Sequence, residues 1–173
     1  MISRIKDGVL GKIINFRLKM ISKQDLAYDF SEQLGKTEKI LVILPPDSEY
    51  SETMQNFVTR ISQLFKKARV STFVNSTLRK NDLNWLGVPN DQYLKIIRDE
   101  QFDLVVDINT RQDKISSYLC ALSGAPMRIN LASGEFDHLY NLHFRIKDIS
   151  KTIEQRLLNI ISYLEFLLKS ERV

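Results

Sequence analysis

Between Phe102 and Leu131 the chain runs from an apolar, β-branched stretch (FDLVVDIN) through a helix-like segment to a Ser-Gly-Ala-Pro stop and a second short apolar stretch, MRINL. Strand, helix and strand within about thirty residues is the unit that builds a parallel sheet, because parallel neighbours need a long crossover between them. One such unit restricts the rest of the chain to elements that can join the same sheet.

The flanking sequence supplies them. Lys39–Leu44 (KILVIL) is almost wholly apolar, as a strand covered on both faces must be, and Pro45-Pro46 stops it. Met54, Phe57, Val58, Ile61, Leu64 and Phe65 recur at intervals of three and four, which predicts a helix opening near Ser51. Arg69–Val74 reads as a second strand and Leu104–Ile108 as a third. A helix between them opens at Pro89-Asn90-Asp91 and closes at Gln101. Ile115, Tyr118, Leu119 and Leu122 mark the next helix, Arg128–Leu131 a fourth strand, and Leu139–Ile146 alternates like a fifth. Ser150 caps a last helix carrying Ile153, Leu157, Ile160, Ile161, Leu164 and Leu168. Residues 23–37 and 75–90 read as irregular. The expectation is a three-layer, Rossmann-like α/β domain over residues 37–173 with a mainly parallel sheet of about five strands, preceded by a basic amphipathic arm over residues 1–36.

A chain of 173 residues with 43% hydrophobic and 27% charged residues has enough apolar surface for one core, which excludes wholesale disorder. The single cysteine, Cys120, has no partner for an internal disulfide, and its apolar setting (YLCAL) predicts a buried, inert thiol. No apolar run spans a bilayer and Gly11-Lys12 interrupts any signal-like core, so a cytoplasmic location is expected. The net charge of +4 is concentrated at one end. Arg4, Lys6, Lys12, Arg17, Lys19 and Lys23 against Asp7 give residues 1–23 a local +5, leaving the other 150 at −1. A near-neutral body argues against nucleic acid as partner.

Within that arm Ile2, Ile5, Val9, Ile13, Phe16 and Met20 form an apolar stripe at helical spacing. The stripe is expected to be buried against protein, either the domain's flank beside the last helix or a second copy of the chain. Peripheral contact with an anionic membrane is the alternative.

In an open parallel sheet, ligands bind beyond the strands' C-terminal ends. The residues placed there are Pro45, Pro46, Asp47 and Ser48, then Asn75 and Ser76, then Asp107, Asn109 and Arg111, then Ser133 and Gly134. Asp47, Ser48, Asp107, Asn109 and Arg111 are the candidate set for hydrogen-bonding a sugar or an anionic group. The competing reading makes them loop chemistry, with Asp107 and Asn109 ending the third strand and capping the helix near Gln112–Lys114. His138 and His143, an odd number of residues apart, point to opposite faces of an extended chain, and no metal site or cofactor is expected. Gly35-Lys36-Thr37 precedes a strand where a phosphate loop follows one. Trp85, in the polar string NDLNWLG, is expected to pack down and pin its loop, with an exposed anchoring indole as the rival.

KILVIL, FDLVVDIN with its helix, and ALSGAPMRINL resemble the acceptor-side half of bacterial heptosyltransferases, which have the two-domain GT-B fold; the likeness covers roughly residues 38–147. It implies a glycosyl-transfer relative acting with a separate nucleotide-sugar-binding domain. That family's Gly-Asp pair after the first strand is replaced by Pro46-Asp47, so no transferase role carries over. Over nearly its whole length the chain is also similar to a small family of uncharacterised bacterial proteins, on NDLNWLG, FDLVVDIN, ALSGAPMRIN, FDHLYNLHF and YLEFL. That likeness implies no chemistry. The leading expectation is a non-catalytic binding or interaction module, and the alternative is a glycosyltransferase-related subunit.

Overall fold

The computed structural model describes residues 8, 9, 12, 16, 29–46, 51–144 and 151–170. Its elements are α1 (Phe30–Gly35), β1 (Lys39–Leu44), α2 (Ser51–Leu64), β2 (Arg69–Val74), α3 (Asp91–Asp99), β3 (Leu104–Asp107), α4 (Lys114–Leu122), β4 (Met127–Asn130), β5 (Leu142–His143) and α5 (Ile153–Ser170). The five strands form one sheet in the order β2-β1-β3-β4-β5, and every pairing is parallel. This is one of the two common doubly wound orders. Its topological switch lies between β1 and β3, where successive connections leave in opposite directions.

Burial explains the apolar runs. Ile40 and Val42 of β1, Leu104 and Val106 of β3, and Met127 and Ile129 of β4 face Met54, Phe57 and Ile61 of α2 and Leu157, Ile160 and Leu164 of α5. On the other face Leu41, Ile43 and Val105 meet Leu94 of α3 and Tyr118, Leu119 and Leu122 of α4. Two strand faces, each under helices, demand side chains that are apolar at every position. Asp103 ties the bottom of the sheet together, its Oδ2 accepting the backbone N–H groups of Glu38 and Lys39 at 2.9 Å each.

Several sequence expectations change. The segment read as irregular before β1 contains α1, capped by Asp29, whose Oδ1 accepts from Ser31 N and Glu32 N. A six-residue helix with one buried anchor, Leu34, leaves no periodicity to read. Residues 30–35, assigned to the arm by sequence, thus contribute to the core cluster beneath α5. β3 ends at Asp107 and β4 is shifted by one residue to Met127–Asn130. The fifth strand shrinks to Leu142–His143, with 145–150 and the expected cap Ser150 outside the described residues. Of the amphipathic stripe, Val9 is partly buried against the α3/α4-side cluster and Phe16 is exposed. Ile2, Ile5, Ile13 and Met20 lie outside the described residues. Among the described residues no helix is long and apolar enough to cross a membrane.

Candidate functional site

The pleat decides what reaches the strands' C-terminal ends. Ile43, Asp107, Asn130 and His143 are register partners across β1, β3, β4 and β5, so one row on the α4 side turns from apolar to polar along the sheet. Asp107 is the centre of that row and is only 3% exposed. Its Oδ1 accepts the backbone N–H of Asn109 at 3.1 Å and the Asn109 side-chain amide at 2.7 Å. Its Oδ2 accepts the Tyr140 hydroxyl at 2.6 Å, and that hydroxyl also lies 3.2 Å from Ser117 Oγ. Burial pushes the Asp107 carboxyl up to about 6; the bonds from Tyr140 and Asn109 pull the other way, and the charge of Asp113 adds to the rise. Burial raises the Tyr140 hydroxyl as well, helped by the negative charge it faces.

The network extends toward the start of α4. Asn109 Nδ2 donates to Ser116 Oγ (3.2 Å), which donates to Asn75 Oδ1 (3.3 Å), and Asn75 Nδ2 donates to Asp113 Oδ1 (2.7 Å). Asp113 is the N-cap of α4, accepting from Ile115 N and Ser116 N at 2.9 Å each. The capping role expected of Asp107 and Asn109 therefore belongs to Asp113. A second set of bonds lies beside it on β4: Asn130 Nδ2 donates to Ala132 O (2.7 Å), and its Oδ1 faces His143 Nδ1 at 2.8 Å, so that ring nitrogen carries the hydrogen. Gln112 Nε2 donates to Asp137 Oδ1 (2.7 Å) and Ala132 O (3.1 Å), while its Oε1 accepts from Phe136 N. Partial burial of Asp137 is outweighed by donors from Gly134, Gln112 and Asn130, which hold its carboxyl below the ordinary range.

Of the five candidate residues, the structure brings Asp107 and Asn109 together, buried. Arg111 is exposed and bonds to no described group. Asp47 and Ser48 lie outside the described residues. Sequence reasoning missed Tyr140, Asn130, Gln112 and Asp113. A tyrosine 33 positions from its acid leaves no local signal, although a buried tyrosine always asks for a partner. Cys120 is buried beneath the same network, and its thiol is pushed well up by burial and then by Asp107. Among the described residues no three of His, Cys, Asp and Glu gather as metal ligands. A cleft of about 460 Å³ opens at the opposite rim, between Leu34, Thr37, Leu64, Phe65, Lys66, Lys67 and Leu168.

Trp85 departs from its expectation: it does not pack down but stands 69% exposed. Its turn is nonetheless locked. Asn84 Oδ1 accepts from Leu86 N (2.9 Å), Asn84 N donates to Val88 O (2.9 Å), and Gly87 N donates to Asn84 O (2.9 Å). Gly87 takes a φ of +77°, a value glycine adopts without strain. Leu83 and Pro89 close the base as an antiparallel bridge, and Leu86 and Val88 are buried in the α3/α4-side core. The loop is pinned by Leu86 and Val88, which frees Trp85 to point outward.

No curated protein and no solved structure matches the chain. A family model does match, over residues 9–167, and the chain belongs to that family, described as a family of unknown function (DUF6913).

Proposed function

We propose that this chain is a non-catalytic, cytoplasmic interaction module that engages its partner through the surface around Trp85. The observation that carries this is an indole 69% exposed on a turn whose every other part is fixed. A rigid aromatic side chain loses little conformational entropy on contact, which is why tryptophan dominates binding hot spots. The strand ends suit the opposite role. A general acid or base needs an open side facing its substrate. Asp107 is instead enclosed, with both oxygens taken by Asn109 and Tyr140.

Photo-crosslinking tests the reading without foreknowledge of the partner. A benzophenone amino acid is placed at position 85, with position 111, on the exposed loop beyond β3, as control. Adducts from 85 and none from 111 are expected, whatever the class of partner. Adducts from 111 alone would move function to the strand ends and remove the proposal.

A further inference from the structure

We infer that β2 pairs antiparallel with β2 of a second copy of the chain, across a two-fold axis through Ser71, so that one sheet runs through a dimer. The two edges of the sheet are finished differently. β5 is cut to two residues, one of the ways an edge is kept from pairing. β2 keeps six residues in unbroken register with β1, with no proline, bulge or lysine to blunt it. Arg69 N donates to Glu38 O at 2.7 Å, so in a parallel ladder residues 69, 71 and 73 turn their backbone groups to β1 and residues 70, 72 and 74 turn theirs outward. The Val74 carbonyl is taken by Thr77 Oγ1 at 2.7 Å. Among the described residues nothing meets the outward groups of Val70 and Thr72.

Unpaired backbone alone would accept any extended strand; the layer above it selects the second copy. Two contacts lay one flank of α3 along β2. The rings of Tyr93 and Phe73 have centroids 6.4 Å apart, and the Glu100 carboxylate lies 3.7 Å from the Arg69 guanidinium. Ile96 falls between Tyr93 and Glu100 at helical spacing on that flank, level with Ser71, and is 56% exposed. A two-fold axis through Ser71 therefore sets Ile96 against Ile96 of the second copy, over the new strand pair, and both subunits use the same patch. The same axis matches Val70 to Thr72 in both directions, which satisfies every outward group of those two residues. Arg69 then lies opposite Phe73 of the second copy. The two arginines are offset by about 14 Å along the strands, so these like charges do not meet. Beneath the sheet, Thr53, Asn56 and Arg60 of α2 line the groove toward α5. The flank of α2 turned past β2 carries Gln55, Thr59 and Ser62, none of them charged.

Sedimentation equilibrium of the full chain should show a mass that rises with concentration to twice that of one chain. Ile96→Lys, at an exposed helix position, sets two lysines against each other across the axis. Thr72→Pro removes an N–H that β1 does not use, a change an edge strand tolerates. Each should raise the dissociation constant on the order of tenfold or more, with circular dichroism reporting that the variant is folded. Should Thr72→Pro fail to fold, Ile96→Lys and two cysteine variants carry the test. Ser71→Cys should form an intermolecular disulfide on mild oxidation, because facing residues of this pair type have Cα atoms about 4.5 Å apart. Arg69→Cys is the more exposed position but lies about 14 Å from its counterpart, and it should stay reduced. Cys120 is buried and does not compete.

A chain that stays monomeric up to about 1 mM overturns the inference and leaves the edge to a strand of another protein. A dimer indifferent to Ile96→Lys, or one that links through position 69 in preference to 71, overturns it as well and places the interface elsewhere.

Discussion

Asp107 offers the sharpest test of the strand-end network, because its protonation and its bonding can be separated. The carboxyl is raised from 3.8 to about 6, so the folded chain holds this proton about two pH units more tightly than the unfolded one. The stabilisation is therefore fully present below about pH 4 and is lost as pH rises through about 6. The full amount is about 3 kcal/mol, at 1.36 kcal/mol per unit, and roughly half of it falls between about pH 5 and pH 8. Asp107→Asn removes the titration and keeps the bonding. Its oxygen still accepts from Asn109, and its amide donates to the Tyr140 hydroxyl, which can pass its own hydrogen to Ser117 Oγ, 3.2 Å away. Urea unfolding of both proteins across this range should show the wild type losing about 1–2 kcal/mol relative to the variant on going from about pH 5 to about pH 8. At about pH 8 the variant should be at least as stable. A difference that stays flat with pH would refute the reasoning. So would a variant weaker by about 3–5 kcal/mol at high pH, which would mean the fold is built around the ionised carboxylate.

Other positions give independent checks. Asp113→Ala removes the α4 cap and the anchor of Asn75, and thermal melts should show a loss of about 1–2 kcal/mol. Leu86→Ala should cost about 2–4 kcal/mol while Trp85→Ala costs less than about 0.5, since one is buried and the other exposed. Cys120 should react with a thiol reagent only as fast as the protein unfolds, and rapid labelling under native conditions would contradict its burial. Gly134→Ala would drive a methyl group into the Gln112 side-chain amide and loosen its bonds to Ala132, Phe136 and Asp137; urea unfolding should report a loss of about 1–2 kcal/mol.

The sheet was legible where physics makes sequence redundant. KILVIL and LVVD sit between two helical layers, so burial on both faces leaves an apolar run that no other element explains. β1 matches its expected bounds for that reason and because Pro45 ends it; β2, an edge strand with only Phe73 buried, matches because the Asn75 turn ends it. β5 was overdrawn: as an edge strand of two residues it needs little pairing, and alternation in FDHLYNLHF reflects a 3₁₀ turn and a buried Leu139-Tyr140 pair instead. α1 was invisible because six residues with one fully buried side chain, Leu34, are too few to show a period. The strand order and the Tyr140–Asp107 pairing depend on long-range contacts that local periodicity does not encode. Trp85 was misjudged because composition marks a loop as polar without saying which residue pins it; the pins are its neighbours Leu86 and Val88.

On the proposed function, Trp85 and not the strand ends meets the partner. With one tryptophan in the sequence, its fluorescence in dilute protein tests that claim most directly. With Trp85 69% exposed, emission is expected at the wavelength of solvated indole with full accessibility to acrylamide, shifting to the blue and losing that accessibility on partner binding. A blue-shifted emission shielded from the quencher in the free monomer would place the indole inside the fold and contradict the account.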